Sequence, residues 1–329
     1  MKALRLHERG DLRLHDEPEP EPRDGEVLLQ VAAVGLCGSD RHWFVEGGIG
    51  DAVLTKPLVL GHEFSARIVS GPREGERVAV DPAVTCGRCA MCLSGRENLC
   101  VEMRFAGHGA TDGALRSLIA WPARLAHRLP DSLSDTEGAL LEPLGVALHA
   151  LDLGGVRPGT NAAVFGCGPI GLLLVQLLDM AGASAIAAVD PLPHRAAAAY
   201  AMGASPDPVE GAEVAFEVTD ANALDEAVDA VRPGGRVVLV GIPEGDRASF
   251  TASTARRKEL TIAICRRMTP DDLPRAIRLA EVGRVSLRPL VSERYALSEG
   301  KDAFDALVAK RALKVIVEPQ RTADGEPAA

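Results

Sequence analysis

The feature that most constrains the fold is a glycine-rich turn between a strand-like and a helix-like apolar segment. GCGPIG lies between the short apolar run NAAVF and the longer apolar segment LLLVQLLDM. Gly166, Gly168 and Gly171 have the spacing G-x-G-x-x-G in a strand–turn–helix context. The first glycine permits the tight turn, the second lets the backbone approach a pyrophosphate, and the third lets the helix pack on the strand. The pattern predicts a doubly wound α/β unit that binds a dinucleotide.

Positions near this turn support the same interpretation. Pro169 and Ile170 begin the helix whose N-terminal amides and dipole would hold the phosphates. Asp190 ends the next strand, where a carboxylate accepts hydrogen bonds from the adenosine ribose and repels a 2′-phosphate. This favours NAD over NADP, whereas Arg195 nearby offers a partner for such a phosphate. Gly241 follows a later strand end, the edge at which ligands of such sheets bind.

A second motif combines a thiol, an imidazole and a carboxylate. Cys37 lies in GLCGSDRH, and His62 and Glu63 lie in GHE, one short segment further along. Protein ligands of these types, with one position left for water or substrate, are those of an open zinc site. Asp40 and His42 are near enough to Cys37 in sequence to orient a ligand and to carry protons.

Four more cysteines form a compact group. Cys86, Cys89, Cys92 and Cys100 have the spacing C-x2-C-x2-C-x7-C. Four thiolates in a reducing compartment make a closed tetrahedral zinc site, whose role is structural. An iron–sulfur cluster uses similar spacing, and a redox dithiol requires one CxxC pair alone. We expect structural zinc.

Glu142 is a carboxylate in an otherwise apolar segment. The stretch SLSDTEGALLEPLGVALHALDL has the apolar spacing of a helix and contains Glu142 followed by Pro143. A glutamate in such a face is uncommon unless it is paired or bound to a metal. The alternative is a carboxylate at a helix end that faces solvent.

Length and charge restrict the function classes. The chain has 329 residues, enough for two domains with their own cores, and its formal net charge is −10 at pH 7. An acidic chain without a basic stripe argues against nucleic-acid binding. We find no apolar signal core and no apolar run of membrane-spanning length, so we expect a cytoplasmic protein with reduced thiols.

Together these motifs resemble the zinc-dependent medium-chain dehydrogenase/reductase family, and within it the sorbitol (polyol) dehydrogenase branch. The segments GLCGSDRHWFVEGG and KPLVLGHE carry the resemblance, which extends over nearly the whole chain. It implies a GroES-like β-rich catalytic domain over residues 1–150 and an NAD-binding Rossmann domain over 151–267. Residues 268–329 would return to the catalytic domain and end in a disordered tail after Pro319.

One segment departs from the family pattern. SPDPVEGA alone separates the helix PHRAAAAYAMGA from the strand EVAFEVT, where relatives place a further strand and a crossover helix. A parallel crossover needs a dozen or more residues. We therefore expect the crossover helix to be deleted and the third strand to be vestigial or lost near residues 204–214.

The resemblance also implies a reaction. A hydride would pass from a secondary hydroxyl of a polyol or cyclitol to NAD and leave a ketone, with one catalytic and one structural zinc ion per chain. The proton would leave by way of Ser39, the cofactor ribose and His42, while Asp40 orients His62. Simple alcohol dehydrogenases carry a cysteine as the third ligand where this chain has Glu142. Whether Glu63 or Glu142 contacts zinc directly stays open at this point.

Substrate contacts and assembly are implied in the same way. Trp43, Phe44 and Phe105, with Ile49 and His108, are candidate pocket walls. Arg266 stands where polyol dehydrogenases have a substrate-contacting arginine; its alternative is a surface residue. The family's pairing of cofactor domains implies a homodimer or homotetramer.

Three other functions compete with this one. Within the family, a threonine (amino-alcohol) or aldose dehydrogenase would use the same motifs. A catalytically silent binding relative would be expected to have lost ligands, but the set is complete. A nucleic-acid-binding protein built on the four-cysteine group is disfavoured by the negative net charge of the chain.

Overall fold

The computed structural model describes residues 1–321. The chain forms two compact units, one from Met1–Glu142 together with the chain from Leu273 onward, and the other from Pro143–Asp272. Just after Pro319, the Gln320 Nε2 donates to the backbone oxygens of Val31 (3.3 Å) and Ser117 (3.2 Å). The rest of the predicted disordered tail lies outside the described residues.

The strands are numbered along the chain. They are β1 (Lys2–Glu8), β2 (Asp11–Asp16), β3 (Glu26–Gly35), β4 (Gly48–Ile49), β5 (Ala52–Val53), β6 (Leu58–Val59), β7 (Glu63–Ile68), β8 (Arg77–Val80), β9 (Ala83–Val84), β10 (Arg104–Phe105), β11 (Leu118–Pro122), β12 (Ala126–Arg128), β13 (Asn161–Phe165), β14 (Ala185–Val189), β15 (Ala212–Glu217), β16 (Val231–Leu239), β17 (Thr261–Ile264), β18 (Val291–Ala296) and β19 (Lys314–Glu318).

The helices follow the same scheme. They are α1 (Gly38–Glu46), α2 (Ala90–Leu93), α3 (Asp135–Ala139), α4 (Leu141–Gly154), α5 (Pro169–Met180), α6 (Pro193–Ala201), α7 (Leu224–Ala230), α8 (Ala252–Lys258), α9 (Asp272–Glu281) and α10 (Gly300–Val308). Short 3-10 turns span Glu97–Leu99, Ala123–Leu125, Glu244–Asp246, Arg288–Leu290 and Leu297–Glu299. Among the described helices, none is long and apolar enough to cross a lipid bilayer.

The first unit is built mainly of antiparallel strands. Its large sheet has the order β12-β8-β7-β3-β19-β18, and β11 also pairs with β3. A smaller sheet has the order β2-β1-β6. Alternating apolar residues of these strands form one core, in which Phe64 and Phe304 are almost fully buried. Because β19 joins β3 near the C-terminus, the end of the chain contributes to the same sheet as Cys37's flanking strand.

The second unit contains a five-stranded parallel sheet of order β14-β13-β15-β16-β17. Its strands are short apolar runs, as expected where helices cover both faces. The reversal of strand order between β13 and its two neighbours makes the carboxyl ends of these strands the ligand-binding edge. The doubly wound α/β prediction is therefore confirmed.

The predicted shortening of this unit is confirmed as well. Neither helix nor strand lies between α6 and β15, and β14 is the edge strand. An isolated parallel bridge between Ala187 and Ser205 is the remnant of a further strand. The segment Pro233–Gly235 lies within β16, whose register shifts there against β15.

Candidate metal centres and nucleotide-binding turn

The sheet of the first unit brings the open zinc motif together. Cys37 immediately precedes α1. His62 immediately precedes β7, and Glu63 is the first residue of β7, which pairs with β3 in the register Gly35↔Glu63. One donor atom from each of Cys37, His62 and Glu63 lies within 4.8 Å of the others. His62 and Glu63 are buried, with exposed fractions of 7% and 1%.

These donors suit a divalent cation. Burial raises the pKa of the Cys37 thiol to about 12, and the neighbouring Glu63 carboxylate acts in the same direction. A partly buried thiolate beside a buried carboxylate needs a cation close by, since unpaired charges away from water are costly. Thiolate, imidazole and carboxylate are together the donor set of an open zinc site, so the residues present fit zinc.

Lys314 is a member of this site that the motifs did not reveal. It lies at the start of β19, is almost fully buried, and forms an ion pair with the Glu63 carboxylate. Its ammonium group also donates to the Leu36 carbonyl at 2.9 Å. Burial lowers the pKa of Lys314, but Glu63 and Cys37 outweigh this effect and raise it overall. Lys314 is therefore a charged counter-ion fixed beneath the cluster.

Gly35 makes room for this ion pair. It lies in β3 between β7 and β19, where its neighbours are Glu63 on one side and Ile316 on the other. A Cβ atom at this position would overlap the Glu63 carboxylate and lie 2.9 Å from the Lys314 Cε atom. Close approach of two side chains over the backbone explains the glycine.

Asp40 supports the cluster mainly through the backbone. Its carboxylate accepts hydrogen bonds from the amides of Cys37 (2.9 Å) and Gly61 (3.2 Å), so it holds the two ligand-bearing segments together. The first of these bonds also caps α1, in which Asp40 is the third residue. The His62 Nδ1 lies 3.7 Å from the Asp40 Oδ1, longer than a hydrogen bond. Asp40 thus positions both segments more directly than it orients the imidazole.

The predicted proton-carrying residues lie along α1. The Ser39 Oγ is 3.4 Å from the His62 Nε2, beside the cluster. His42 is buried, and its Nδ1 contacts the Glu46 Oε1 at 2.7 Å. The Glu46 side chain is 37% exposed. The i,i+4 spacing of His42 and Glu46 in one helix was the available signal for this pair, but sequence reasoning missed Glu46.

Glu142 is buried in the first turn of α4 and not exposed at a helix end. Burial raises its pKa to about 8, while His62 lowers it and the Glu63 carboxylate raises it further. Its carboxylate is not among the three donors that lie within 4.8 Å of one another. Glu142 is therefore near enough to interact with His62 and Glu63 but lies outside the compact donor group.

The candidate pocket walls divide into two sets. The Phe105 ring lies 5.3 Å from the His62 ring, and Trp43 contacts His108 edge-on at 5.4 Å, both measured between ring centroids. Phe44 lies instead in the hydrophobic core, where its ring packs 5.0 Å from that of Phe304. Ile49 packs against the same core. Arg266 is exposed on the second unit.

The four-cysteine group is compact, with Cys92 and Cys100 buried and Cys86 and Cys89 partly exposed. One sulfur from each of Cys86, Cys89, Cys92 and Cys100 lies within 4.8 Å of the others. The loop wraps around them, since the amides of Cys86 and Cys89 donate to the sulfurs of Cys100 (3.3 Å) and Cys86 (3.4 Å). Backbone amides of Cys92 and Val101 lower the pKa of Cys89 to about 6. Four thiols with one already favouring its anion fit a closed zinc site.

In the second unit the glycine motif adopts the predicted strand–turn–helix geometry. Gly166 has φ +98° and Gly168 is the N-cap of α5, with Pro169 as the first helical residue. A Cβ atom on Gly171 would overlap the Gly166 carbonyl oxygen. The turn therefore requires glycine at both positions, and Ile170 follows in the first turn of the helix.

Asp190 and Arg195 lie beside this turn. The Asp190 carboxylate accepts hydrogen bonds from the amides of Cys167 and Leu192, each at 2.8 Å. Each oxygen retains a further lone pair for a ribose hydroxyl. The Nε atom of Arg195 is buried with no hydrogen-bond partner among the described residues, and its Nη1 lies 3.7 Å from the position of a Cβ on Gly168. The guanidinium is therefore available to an anionic ligand.

The carboxyl ends of β15 and β16 complete this edge. The amide of Gly241 donates to the Glu217 carbonyl at 3.0 Å. The Glu217 side chain, which sequence reasoning missed, is 2% exposed and accepts hydrogen bonds from the Thr219 amide and hydroxyl. Burial raises the pKa of Glu217, and the Thr219 hydrogen bonds act against this rise. A buried glutamate at a strand end has no sequence signal beyond its apolar neighbours.

Comparison with known proteins identifies the family. Residues 23–131 match the alcohol dehydrogenase GroES-like domain and residues 209–281 match the zinc-binding dehydrogenase domain. Sorbitol dehydrogenase of Bacillus subtilis is 36% identical over 346 aligned residues, which cover 98% of each chain.

Solved structures agree with this result. The 2R,3R-butanediol dehydrogenase of B. subtilis has a TM-score of 0.84 at 32% identity, with 97% of this chain and 99% of that chain covered. L-idonate 5-dehydrogenase of Escherichia coli has a TM-score of 0.89 at 27% identity, with coverage of 96% and 97%. The predicted resemblance, fold class and oxidoreductase class are confirmed. The chain belongs to the zinc-dependent medium-chain dehydrogenase/reductase family.

Proposed function

We propose that the protein oxidises a secondary hydroxyl of a polyol or cyclitol to a ketone, reversibly, with NAD as the hydride acceptor. The observation that carries this proposal is the compact group formed by the partly buried Cys37 and the buried His62 and Glu63, with its counter-ion Lys314. The glycine turn of the second unit supplies the nucleotide site that such a reaction needs.

The substrate class follows from the carboxylate beside the metal ligands. Glu142 is buried. At the corresponding position, simple alcohol dehydrogenases carry a cysteine. A carboxylate can accept a hydrogen bond from a second hydroxyl of the substrate, whereas a metal-bound thiolate accepts such a bond weakly. Sorbitol, idonate and 2,3-butanediol, named for the relatives above, all carry adjacent hydroxyl groups. We therefore favour substrates with vicinal hydroxyls.

Cys37, His62 and Glu63 would hold the catalytic zinc. Their donor atoms form the compact group, while Glu142 lies outside it and would reach the metal through water or substrate. A Glu63 carboxylate has two oxygens, so an ion pair with Lys314 leaves one oxygen free for the metal. When bound, zinc supplies a Lewis acid that lowers the pKa of the alcohol, and NAD accepts the hydride.

The chain's own residues move the proton and hold the geometry. Ser39 lies beside His62 and is placed to take the hydroxyl proton of the substrate. The buried His42 then transfers a proton to Glu46, whose side chain is partly exposed to solvent. A histidine suits this step because its ordinary pKa lies near neutrality. Asp40 holds Cys37 and the segment at Gly61 in place throughout.

NAD is favoured over NADP by the arrangement at the glycine turn. The Asp190 carboxylate is fixed by two backbone amides where the adenosine ribose would bind, and its charge repels a 2′-phosphate. Arg195 lies over Gly168 and would serve the pyrophosphate, which both cofactors share.

The four-cysteine group would hold the second zinc ion. Its loop has little apolar core of its own, because Leu93 and Val101 are exposed at 76% and 77%. Metal binding would then replace the missing core as the source of local stability.

We also propose assembly as a homodimer or homotetramer in the cytoplasm. β17 is the edge strand of the parallel sheet, and its Ile264 is 73% exposed. An apolar edge strand invites pairing with a second copy. Light scattering coupled to size exclusion would show a dimer or larger species that Ile264→Lys dissociates.

The function is tested by NADH formation from zinc-replete protein with linear polyols, cyclitols, aldoses, threonine and simple secondary alcohols. Turnover confined to vicinal polyols or cyclitols is the expected result. Turnover of threonine or aldoses alone would replace the substrate class. NAD binding and two zinc ions without turnover on any compound would favour a silent binding relative.

A swap at Glu142 tests the substrate argument itself. Glu142→Cys should retain zinc and shift the ratio of kcat/KM from vicinal diol toward simple secondary alcohol by at least about tenfold. The same change at an exposed carboxylate, Glu74→Cys, is the matched control and should leave the ratio unchanged. An unchanged ratio in Glu142→Cys would remove Glu142 from the substrate-recognition argument.

A further inference from the structure

A pair of histidines lies on the hairpin of the first unit, apart from both metal centres described above. His7 lies in β1 and His15 lies in the antiparallel β2. Their Nε2 atoms are 2.8 Å apart, and their rings are stacked with centroids 5.0 Å apart and planes inclined by 21°. Both side chains are partly exposed, so solvent and ions can reach them.

The distance between the two Nε2 atoms restricts which metal ions could bind both of them. At 2.8 Å, one ring donates its N–H to the lone pair of the other, so a shared proton lies between them. A metal ion bound to both nitrogens at about 2.0–2.1 Å would take the place of that proton. Two such bonds with ends 2.8 Å apart enclose an angle near 90°. Tetrahedral zinc needs about 109° and a wider separation of about 3.3 Å.

The surrounding charges are largely compensated within the hairpin and its neighbours. Arg13 forms hydrogen bonds with the Asp11 carboxylate, one of them 3.0 Å long, and Arg5 pairs with Glu17 and Asp112. These paired guanidinium groups repel an incoming cation less than free ones would.

Those charges also affect the ring itself. Partial burial and the nearby Arg13 lower the pKa of His7, so its ring stays neutral at neutral pH. A neutral imidazole is the form that binds metals.

We propose that His7 and His15 form a bidentate site for a divalent transition-metal ion with ligand angles near 90°, the class to which Ni²⁺ and Cu²⁺ belong. Imidazole nitrogens suit these ions, which favour square-planar or octahedral arrangements. The two strands already hold both Nε2 atoms close together, so binding requires the donating ring to move its proton from Nε2 to Nδ1, with no net loss of a proton. Water would fill the remaining positions of the exposed ion.

The test uses Ni²⁺, which does not oxidise the thiols of the chain, and the zinc-replete full-length protein. Titration calorimetry should show one Ni²⁺ bound per chain with no release of zinc. His7→Asn and His15→Asn should each weaken Ni²⁺ binding by at least about tenfold, because each leaves a single imidazole. His194→Asn removes an exposed histidine elsewhere and is the matched control, which should bind as the parent does.

Each other outcome overturns the proposal. Equal binding by the parent and either hairpin variant would mean that no chelate forms. Zinc released in step with Ni²⁺ uptake would assign the binding to the cysteine centres. Zn²⁺ bound at the hairpin more tightly than Ni²⁺ would contradict the angle argument.

Discussion

The two cysteine-containing centres of the first unit differ in how the protein shifts the pKa of a ligand thiol. In the four-cysteine loop, Cys89 is partly exposed, and backbone amides lower its pKa to about 6. At the three-donor centre, burial raises the pKa of Cys37 to about 12, and a carboxylate lies beside it. In the first centre the Cys89 thiolate is favoured before any metal binds, although burial raises the pKa of Cys92 to about 12. In the second centre the Cys37 thiol becomes a thiolate only when a metal cation binds beside it.

The difference corresponds to two roles. A loop whose backbone amides stabilise the thiolates of Cys89 and Cys100, and which has little apolar core, depends on its metal for folding. A centre enclosed by strands, with Lys314 and Asp40 fixing its ligands, is held by the sheet and can leave one coordination position for chemistry. Loss of metal should therefore unfold the first centre and inactivate the second.

The largest effect should come from Cys92→Ser. Structural zinc contributes on the order of 10 kcal/mol in small zinc domains, so loss of one ligand should lower the thermal midpoint strongly and reduce soluble yield. Scanning calorimetry and zinc analysis measure the change. Cys265→Ser, which removes a thiol from the second unit, is the control and should leave both values unchanged. A stable, soluble Cys92→Ser protein would mean that the loop does not depend on metal.

Cys37→Ser should show the reverse pattern. We expect kcat/KM to fall by at least about 10³-fold, equal to about 4 kcal/mol of transition-state stabilisation, because the metal loses its thiolate ligand. The thermal midpoint should change little, since the strands that enclose the site remain packed. Steady-state kinetics and calorimetry of the same sample test both statements. Unfolding in parallel with lost activity would remove the contrast between the two centres.

The sequence revealed one centre more completely than the other. The four cysteines are nearly contiguous, so their spacing alone predicts a group that local backbone brings together. Cys37, His62 and Glu63 were also found from two local motifs. Lys314 was not, because its contact with Glu63 depends on β19 pairing with β3 from the far end of the chain. A lone lysine in a strand carries no sign that it is buried.

The positions of the Trp43 and Phe44 rings could not be predicted from the sequence, because they too depend on contacts with distant parts of the chain. Trp43 and Phe44 are adjacent in α1, but neighbouring helical residues point in different directions. One contacts His108, and the other packs against Phe304 of α10. The direction of each ring depends on the helix's partners, which local pattern does not encode.

Lys314→Met should affect both activity and stability. The change leaves the Glu63 carboxylate buried without its cation, which costs about 3–5 kcal/mol in comparable pairs. The carboxylate would then draw closer to the metal and lower its Lewis acidity, so we expect kcat to fall about 10–100-fold. Urea unfolding and kinetics measure the two effects. Lys56→Met, at an exposed lysine, should change neither.

A double variant distinguishes the effect of the Lys314 charge from the effect of its packing. Glu63→Gln with Lys314→Met removes both charges and should recover stability relative to Lys314→Met alone, while zinc affinity stays reduced. Additive losses in the double variant would show that Lys314 acts by packing and not as a counter-ion.

The smallest effect should be that of Glu46→Gln. The Glu46 carboxylate contacts the His42 Nδ1 and can accept the proton that leaves by this route, so its removal should slow the outward transfer of the proton. We expect a fall in kcat of about three- to tenfold, with zinc content unchanged, since proton-transfer groups contribute less when water can substitute. Glu74→Gln, at an exposed carboxylate, is the control.

Proton transfer and structural damage can be told apart in Glu46→Gln. A slower proton step should increase the solvent deuterium isotope effect on kcat, and small imidazole buffers should restore part of the rate. An unchanged isotope effect without buffer rescue would make Glu46 a surface residue with no share in the reaction. The contrast between the centres would then rest on metal ligands and Lys314 alone, because α1 would offer the proton no route to solvent. Rescue by buffer would instead show that the three-donor centre connects to solvent through α1, a connection that the closed four-cysteine centre has no need to make.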